Sequence, residues 1–493
     1  MSLEKNSFVK KMVDRILSED SLEKSLRDAE SLGKLLWENN IGIYSLARLE
    51  SGLSSKYPSD IISKIVEINN PHNKEELFII SEPYLTGGHT RLMERLSSFI
   101  EQTPDLVISR KSSDTSLDRM KLFFNEIFLY TEKNIKNDIE RIFEIAKKIH
   151  CYQKIILNIH PDDIHVVIAC SIVKKLRKDI KIFFVNHADH LFSYGVSVSD
   201  VWFELSSFGK RIDALRELNS CKSFLGIPLD SRLLNDSFTY FSDTIKDGDT
   251  FFTSGSSYKF NDSNGISFKP IISYVMSTYP NSEMHIVGCD IIKNHWWIIE
   301  KLKFKDRLKL ISKIPYDEYV NITNKSTVYI DSHPIPGGTA FIEQFFSNKK
   351  CVGLTSPIQG YSPIELLKSK DLANSFNPTN LHTKINRIIP MIKDVHSLES
   401  VKRRFIDAIY NDIYTENLCD KYIDWSGDVK FLEKDRITKI PSSIKGFNYI
   451  NLLALINIGA KAIIINFLIK VERKFVNFFF KRIIKNHIYT RYD

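Results

Sequence analysis

Four residue clusters in this chain have the types and spacing for chemistry, and each follows a short apolar run. The first is Ser81-Glu82-Pro83-Tyr84-Leu85-Thr86-Gly87-Gly88-His89-Thr90-Arg91. Paired glycines let a backbone come close to a ligand, and a helix starting here offers N–H groups to an anion or a sugar oxygen. Gly87, Gly88 and Arg91 are thus expected at an acceptor or a sugar, and His89 is the first candidate for a general base near neutral pH. The plainer reading is a turn with a capping threonine and a solvated imidazole. The second cluster is Asn186-His187-Ala188-Asp189-His190. His187 and His190 suit hydrogen bonds to hydroxyls, and Asp189 can orient an imidazole or accept a proton itself, which makes it the second candidate base. A catalytic zinc site would need a third protein ligand on a framework that the sequence does not display, so no metal is expected.

The third cluster, Ser254-Gly255-Ser256-Ser257-Tyr258-Lys259, combines hydroxyls, backbone N–H groups and an ammonium in the manner that suits a diphosphate. The fourth runs from Asp331 through His333-Pro334-Ile335-Pro336-Gly337-Gly338-Thr339 to Glu343. Gly337, Gly338 and Thr339 at a helix start form an anion cradle, and Glu343, one turn further on, can grip two ribose hydroxyls. Ser256, Lys259, His333 and these residues are the expected donor site. No GxxxxGK[ST] occurs, and no GxGxxG follows a strand. The lone DxD, Asp247-Gly248-Asp249, precedes an apolar run and reads as a turn.

The elements that must position these clusters alternate. From Leu3 to about Asn70, apolar residues recur at helical spacing (Phe8, Met12, Ile16; Leu32, Leu35, Leu36). Then come short apolar runs at Leu77–Ser81, Asp105–Ser109, Lys154–Ile159, Ile180–Asn186 and Val201–Leu205, and a second series at Thr250–Ser254, Glu283–Gly288, Arg307–Ile311, Ser326–Asp331 and Lys350–Leu354. Short buried strands separated by helical segments predict two parallel α/β units, with a mainly helical stretch from Ser362 to Leu432. Ligands in such sheets sit at the carboxyl ends of strands, where all four clusters fall.

Composition limits the class. The chain has 493 residues, 43% of them hydrophobic and 26% charged, which excludes a disordered or fibrous protein and a single small module. Six scattered cysteines without a CxxC pair indicate neither a disulfide framework nor a zinc cluster and fit a reducing cytosol. No apolar run near the start resembles a signal peptide. The net charge is +8, of which residues 441–493 carry +7, so the body is nearly neutral and does not read as a nucleic-acid binder.

Taken together, the clusters resemble those of the GT-B glycosyltransferases, enzymes of two facing Rossmann-like domains that use nucleotide sugars. The resemblance spans roughly Leu77 to Leu432 and rests on the Gly87-Gly88 loop, the His187–His190 loop, the Ser254–Lys259 loop and Pro334–Glu343. It implies that Lys259, Gly338 and Thr339 hold the diphosphate, that Glu343 holds the ribose, and that Ser312–Tyr316 contacts the base, with Tyr316 in the donor set. Many retaining members carry another glutamate eight positions before the ribose glutamate; here that position is Ile335, which favours inversion. The implied organisation is a helical extension (1–75), an acceptor domain (76–245), a nucleotide-sugar domain (246–435) and a tail (436–493).

The tail has its own pattern. Residues 447–469 are mainly apolar, yet Lys461 near the middle costs roughly 2.5 kcal/mol or more in a bilayer, which disfavours spanning. Further on, Lys470, Arg473, Lys474, Lys481 and Lys485 fall on one helical face and Leu468, Val471, Phe475, Phe478 and Phe479 on the other. That predicts an in-plane amphipathic helix on an anionic membrane, or else a helix packed back on the body. The expected function is transfer of a sugar, UDP-linked, to a hydroxyl of a glycan or lipid-linked acceptor in bacterial surface-polysaccharide assembly. The enzyme would attach to the cytosolic membrane face and need no metal or other cofactor. The alternatives are a nucleotide-sugar epimerase, a polyol-phosphate transferase using a cytidine nucleotide, and a membrane-bound scaffold without activity.

Overall fold

The computed structural model describes residues 2–66, 74–85, 88–131, 135–229, 244–292 and 294–438. The chain forms two compact units. One comprises Met1–Gly226, Val401–Leu418 and the described residues from Leu432; the other comprises Ile227–Ser400 and Cys419–Phe431.

The first unit carries seven parallel strands: β1 (Lys74–Ile80), β2 (Asp105–Ile108), β3 (Ile127–Leu129), β4 (Tyr152–Asn158), β5 (Lys181–Val185), β6 (Val201–Glu204) and β7 (Cys221–Phe224). Their order is β3-β2-β1-β4-β5-β6-β7. The inner strands are apolar runs rather than alternating ones because both faces are covered, and β2 and β6 are buried at every residue. The second unit carries β8 (Thr250–Ser254), β9 (Glu283–Val287), β10 (Leu308–Ile311), β11 (Val328–Ile330) and β12 (Lys350–Val352), in the order β10-β9-β8-β11-β12, again all parallel.

All ten strands expected from the sequence are present, and two more, β3 and β7, close the edges of the first sheet. β7 opens on exposed Cys221 and Lys222 and lacks the apolar run that marks the others, whereas β3 is an apolar run, Ile127-Phe128-Leu129, of only three half-buried residues. The N-terminal segment is helical as its periodicity requires, with helices Ser2–Ser18, Leu22–Glu38, Ala47–Lys56 and Ser59–Val66. Met12, Ile16, Leu32, Leu35 and Leu36 are fully buried in the same core as Leu77, Ile79 and Leu157 of the sheet. Buried Glu50 fastens them by accepting from the backbone N–H groups of Gly195 (3.0 Å) and Ser197 (2.9 Å). From 362 to 432 the chain is mostly helical, as expected, including Leu381–His396 and Leu398–Tyr410.

Among the described residues no helix is long and apolar enough to cross a membrane. The amphipathic tail, beyond Thr438, lies outside the described residues, as do Thr86 and Gly87.

Candidate active site

In each sheet the strand order reverses direction once, between β1 and β4 in the first and between β8 and β11 in the second. Loops leaving the carboxyl ends of two such strands diverge to opposite faces, and the crevice they open is where α/β sheets take ligands. The sequence clusters sit there: 81–91 follows β1, 254–259 follows β8 and 331–343 follows β11.

In the second unit the loop after β11 is organised by Asp331. Its Oδ1 accepts from the backbone N–H groups of Ser332 and Gly337, both at 2.9 Å, and its Oδ2 accepts from Lys368 Nζ at 2.6 Å. Both side chains of that ion pair are nearly fully buried. A Cβ on Gly337 would stand 2.9 Å from Asp331 Oδ1, so the loop passes too close to the carboxylate for a side chain. The next element, helix Ala340–Phe346, begins where the apolar pattern places it, with Glu343 half-buried in its first turn. Lys259 lies in the single 3-10 turn Ser257–Phe260 after β8 and reaches across to the β11 loop, donating from Nζ to Pro336 O at 2.9 Å. Burial lowers its pKa against the attraction of Asp331. This loop lies backbone-on-backbone against the end of β9: Gly288 has φ +95°, and a Cβ there would meet Gly255 O at 2.0 Å.

His333 is 4% exposed and its Nδ1 has no hydrogen-bond partner among the described residues. Burial, aided by Lys368, pushes its pKa down to about 4, so the imidazole is neutral at pH 7. Ser256 is exposed, Gly338 and Thr339 are half-buried, and the side chain of Tyr316 lies outside the described residues. Asp247-Gly248-Asp249 is a turn, as read: Asp247 accepts from Asn281, Asp249 pairs with Lys350 at 2.9 Å, and Gly248 has φ +96°.

In the first unit, His89 stands in the first turn of helix Gly88–Ser97, half-buried, its Nε2 at 3.1 Å from Glu82 O. Its ring stacks on His187, which follows β5, with centroids 5.2 Å apart. Burial lowers the pKa of both, that of His187 strongly. Gly88 is exposed with open space where a Cβ would go, so nothing there requires a glycine. Arg91 is half-buried one turn position further on. His190 Nδ1 lies 3.3 Å from Asp189 Oδ1.

Asp189 departs from its expected part. It is 2% exposed, and its Oδ2 accepts from Ser206 Oγ at 2.5 Å, the hydroxyl that caps helix Ser207–Asp213. A carboxylate tucked beneath a helix cap holds its loop in place and is not presented to an acceptor.

The sequence reading missed a third group, at the carboxyl end of β4: His160, Asp162 and Asp163. His160 Nδ1 lies 2.5 Å from Asp162 Oδ1, and that carboxylate also accepts from Arg110 Nη1 at 2.6 Å. Asp163 Oδ2 accepts from Ser81 Oγ (2.6 Å) and Ser109 Oγ (2.5 Å), which ties the ends of β1, β2 and β4 together. The signal was present: His160-Pro161-Asp162-Asp163 is a polar cluster directly after an apolar run.

No protein-family model matches the chain, and no curated protein matches it in sequence. Solved structures do. The chain is similar to Alr3699/HepE of Anabaena in complex with UDP and glucose (TM-score 0.50, 11% identity, covering 68% of this chain and 99% of that one). It is also similar to the lipopolysaccharide outer core galactosyltransferase WaaB (TM-score 0.47, 13% identity, 69% and 100% covered). A third likeness is to the O-GlcNAc transferase of Thermobaculum terrenum (TM-score 0.45, 12% identity, 80% and 75% covered).

Proposed function

From the GT-B fold, two parallel Rossmann-like sheets each with its loops at a switch point, we propose that this chain is a glycosyltransferase that moves a sugar from a UDP-linked donor to a hydroxyl of a glycan or lipid-linked acceptor. One observation carries the reading. The loops after β8 and β11 carry the Lys259 ammonium, the Gly338–Thr339 backbone, a His333 Nδ1 without a partner among the described residues, and Glu343. Positive charge and N–H donors suit a diphosphate, and a carboxylate that accepts from two hydroxyls suits a ribose, which supports a donor site on these two loops. UDP is the nucleotide held by the Alr3699/HepE structure that shares the fold.

The reaction is a displacement. The acceptor oxygen bonds to the anomeric carbon as the bond from that carbon to the diphosphate oxygen breaks. UDP leaves with the electron pair, its charge met by Lys259 and the loop N–H groups in place of a metal, and the acceptor proton passes to a general base. Ile335 in place of a second glutamate supports inversion. The basic, amphipathic pattern of 445–493 supports work on a lipid-borne acceptor at the cytosolic membrane face.

A thermal-shift series with UDP, GDP, CDP and their sugars tests the reading on wild type and Glu343→Ala. UDP and its sugars are expected to raise Tm in wild type, with affinity falling roughly 10- to 100-fold in the variant, since the native state alone binds nucleotide. No shift with any nucleotide well above millimolar concentration would refute it.

A further inference from the structure

Resting on that transferase reading, we infer that His160, oriented by Asp162, is the base that takes the acceptor proton, and that Trp37 of the N-terminal helices borders the acceptor sugar. His89, His160 and His187 all stand at the carboxyl edge of the first sheet, but only His160 is braced by a carboxylate in a geometry that fixes its tautomer. An ionised carboxylate can only accept, so Asp162 Oδ1 at 2.5 Å holds the proton on Nδ1 and leaves the lone pair on Nε2. The ring is half-buried, whereas Asp162 is fully buried. Burial opposes ionisation of that carboxyl, but Arg110 and His160 outweigh it and hold the group well below the usual carboxylate range.

The bracing continues beyond the pair. Arg110 Nη1 donates to Asp162 Oδ1 at 2.6 Å, its Nη2 donates to Asp162 O at 3.2 Å, and the same Nη2 pairs with Glu30 at 2.7 Å. The backbone N–H of His160 donates to Ser81 Oγ at 2.8 Å, which fixes the loop to the end of β1. His89 is placed differently: its Nε2 meets a backbone carbonyl, its ring is stacked on His187, and burial disfavours the cation on both. A neutral imidazole pair of that kind is suited to hydrogen-bonding sugar hydroxyls.

Trp37 lies in the last turn of helix Leu22–Glu38, and its half-buried ring meets His160 edge-on with centroids 4.8 Å apart. An indole beside the base offers a flat apolar face to the C–H side of a sugar ring and an N–H to its hydroxyls. Glu30 and Trp37 come from one helix of the N-terminal segment, which therefore contributes directly to this site.

The experiment uses the full chain and follows UDP release from UDP-glucose and UDP-N-acetylglucosamine, with p-nitrophenyl glycosides as acceptors and with water alone. UDP affinity is measured in parallel. His160→Ala is expected to lower kcat about 10²-fold or more with UDP affinity unchanged, and Asp162→Asn to lower kcat by roughly tenfold. Trp37→Ala is expected to raise acceptor KM, and His89→Ala to act mainly through KM. His160→Gln, which keeps a hydrogen bond to Asp162 without a base, replaces the alanine variant if that one does not fold. UDP binding with turnover in His160→Gln within threefold of wild type, or a kcat loss in His89→Ala equal to that in the His160 variants, overturns the assignment alone. Absence of UDP binding, or no UDP release to any acceptor or to water, overturns the transferase reading and the assignment with it.

Discussion

His333 allows a stability change to be worked from the structure. The imidazole is buried without a partner on Nδ1 among the described residues, and its pKa is pushed down to about 4, against about 6.5 in an unfolded chain. Between those values the unfolded state binds a proton that the folded state refuses, so stability is retained above pH 6.5 and lost as pH falls towards 4. At pH 5.5 the loss from this residue alone is on the order of 1.4 kcal/mol, close to a tenfold change in the opening equilibrium. His333→Gln removes the titration while keeping similar volume and polarity. Native-state hydrogen exchange of peptides covering β8 and β11, at pH 7.5 and 5.5 and corrected for intrinsic rates, isolates the second unit from the acid response of His89 and His187 in the first. Wild type is expected to lose about tenfold more protection than the variant over that interval. Equal losses in the two proteins would show that His333 is protonated freely in the folded state, and the neutral imidazole assigned to the β11 loop would have to be abandoned.

Two other outcomes follow from the same geometry. Lys368→Met strands the Asp331 carboxylate without its cation and is expected to destabilise the second unit by about 3–5 kcal/mol, as a loss of exchange protection in β11; a change below 1 kcal/mol would mean that the pair does not organise the loop. Removing residues 445–493 is expected to abolish co-sedimentation with vesicles containing phosphatidylglycerol while leaving UDP affinity intact, and undiminished sedimentation would assign membrane contact elsewhere.

The sequence displayed most of the fold because inner parallel strands are continuous apolar runs, and those are easy to see in Ile155–Leu157 or Phe183–Val185. Of the two strands missed, β7 is compositionally plain because its edge position leaves Cys221 and Lys222 exposed, while β3 is a run of only three apolar residues, Ile127–Leu129. The four loop clusters were visible because polar and glycine residues directly after such runs stand out. What stayed hidden was partnership. Nothing in the order of residues says that Lys368 neutralises Asp331, 37 positions away, or that Glu30 and Arg110 support a carboxylate at 162. Asp189 shows the converse: a residue of suitable type in a suitable loop is occupied in holding a helix cap. The His160-Pro161-Asp162 cluster was legible by the same rule as the other four but lacks the glycines that drew attention to three of them.

Gly288 bears on how kin of this chain are to be recognised. Its contact with Gly255 leaves no room for any other residue, and a side chain there would push the β8 loop, and Lys259 with it, off the β11 loop. Residues that do chemistry can be exchanged when a substrate changes, whereas a backbone crossing this tight admits one amino acid whatever the substrate. A glycine closing β9 is therefore expected to outlast the lysine that it positions.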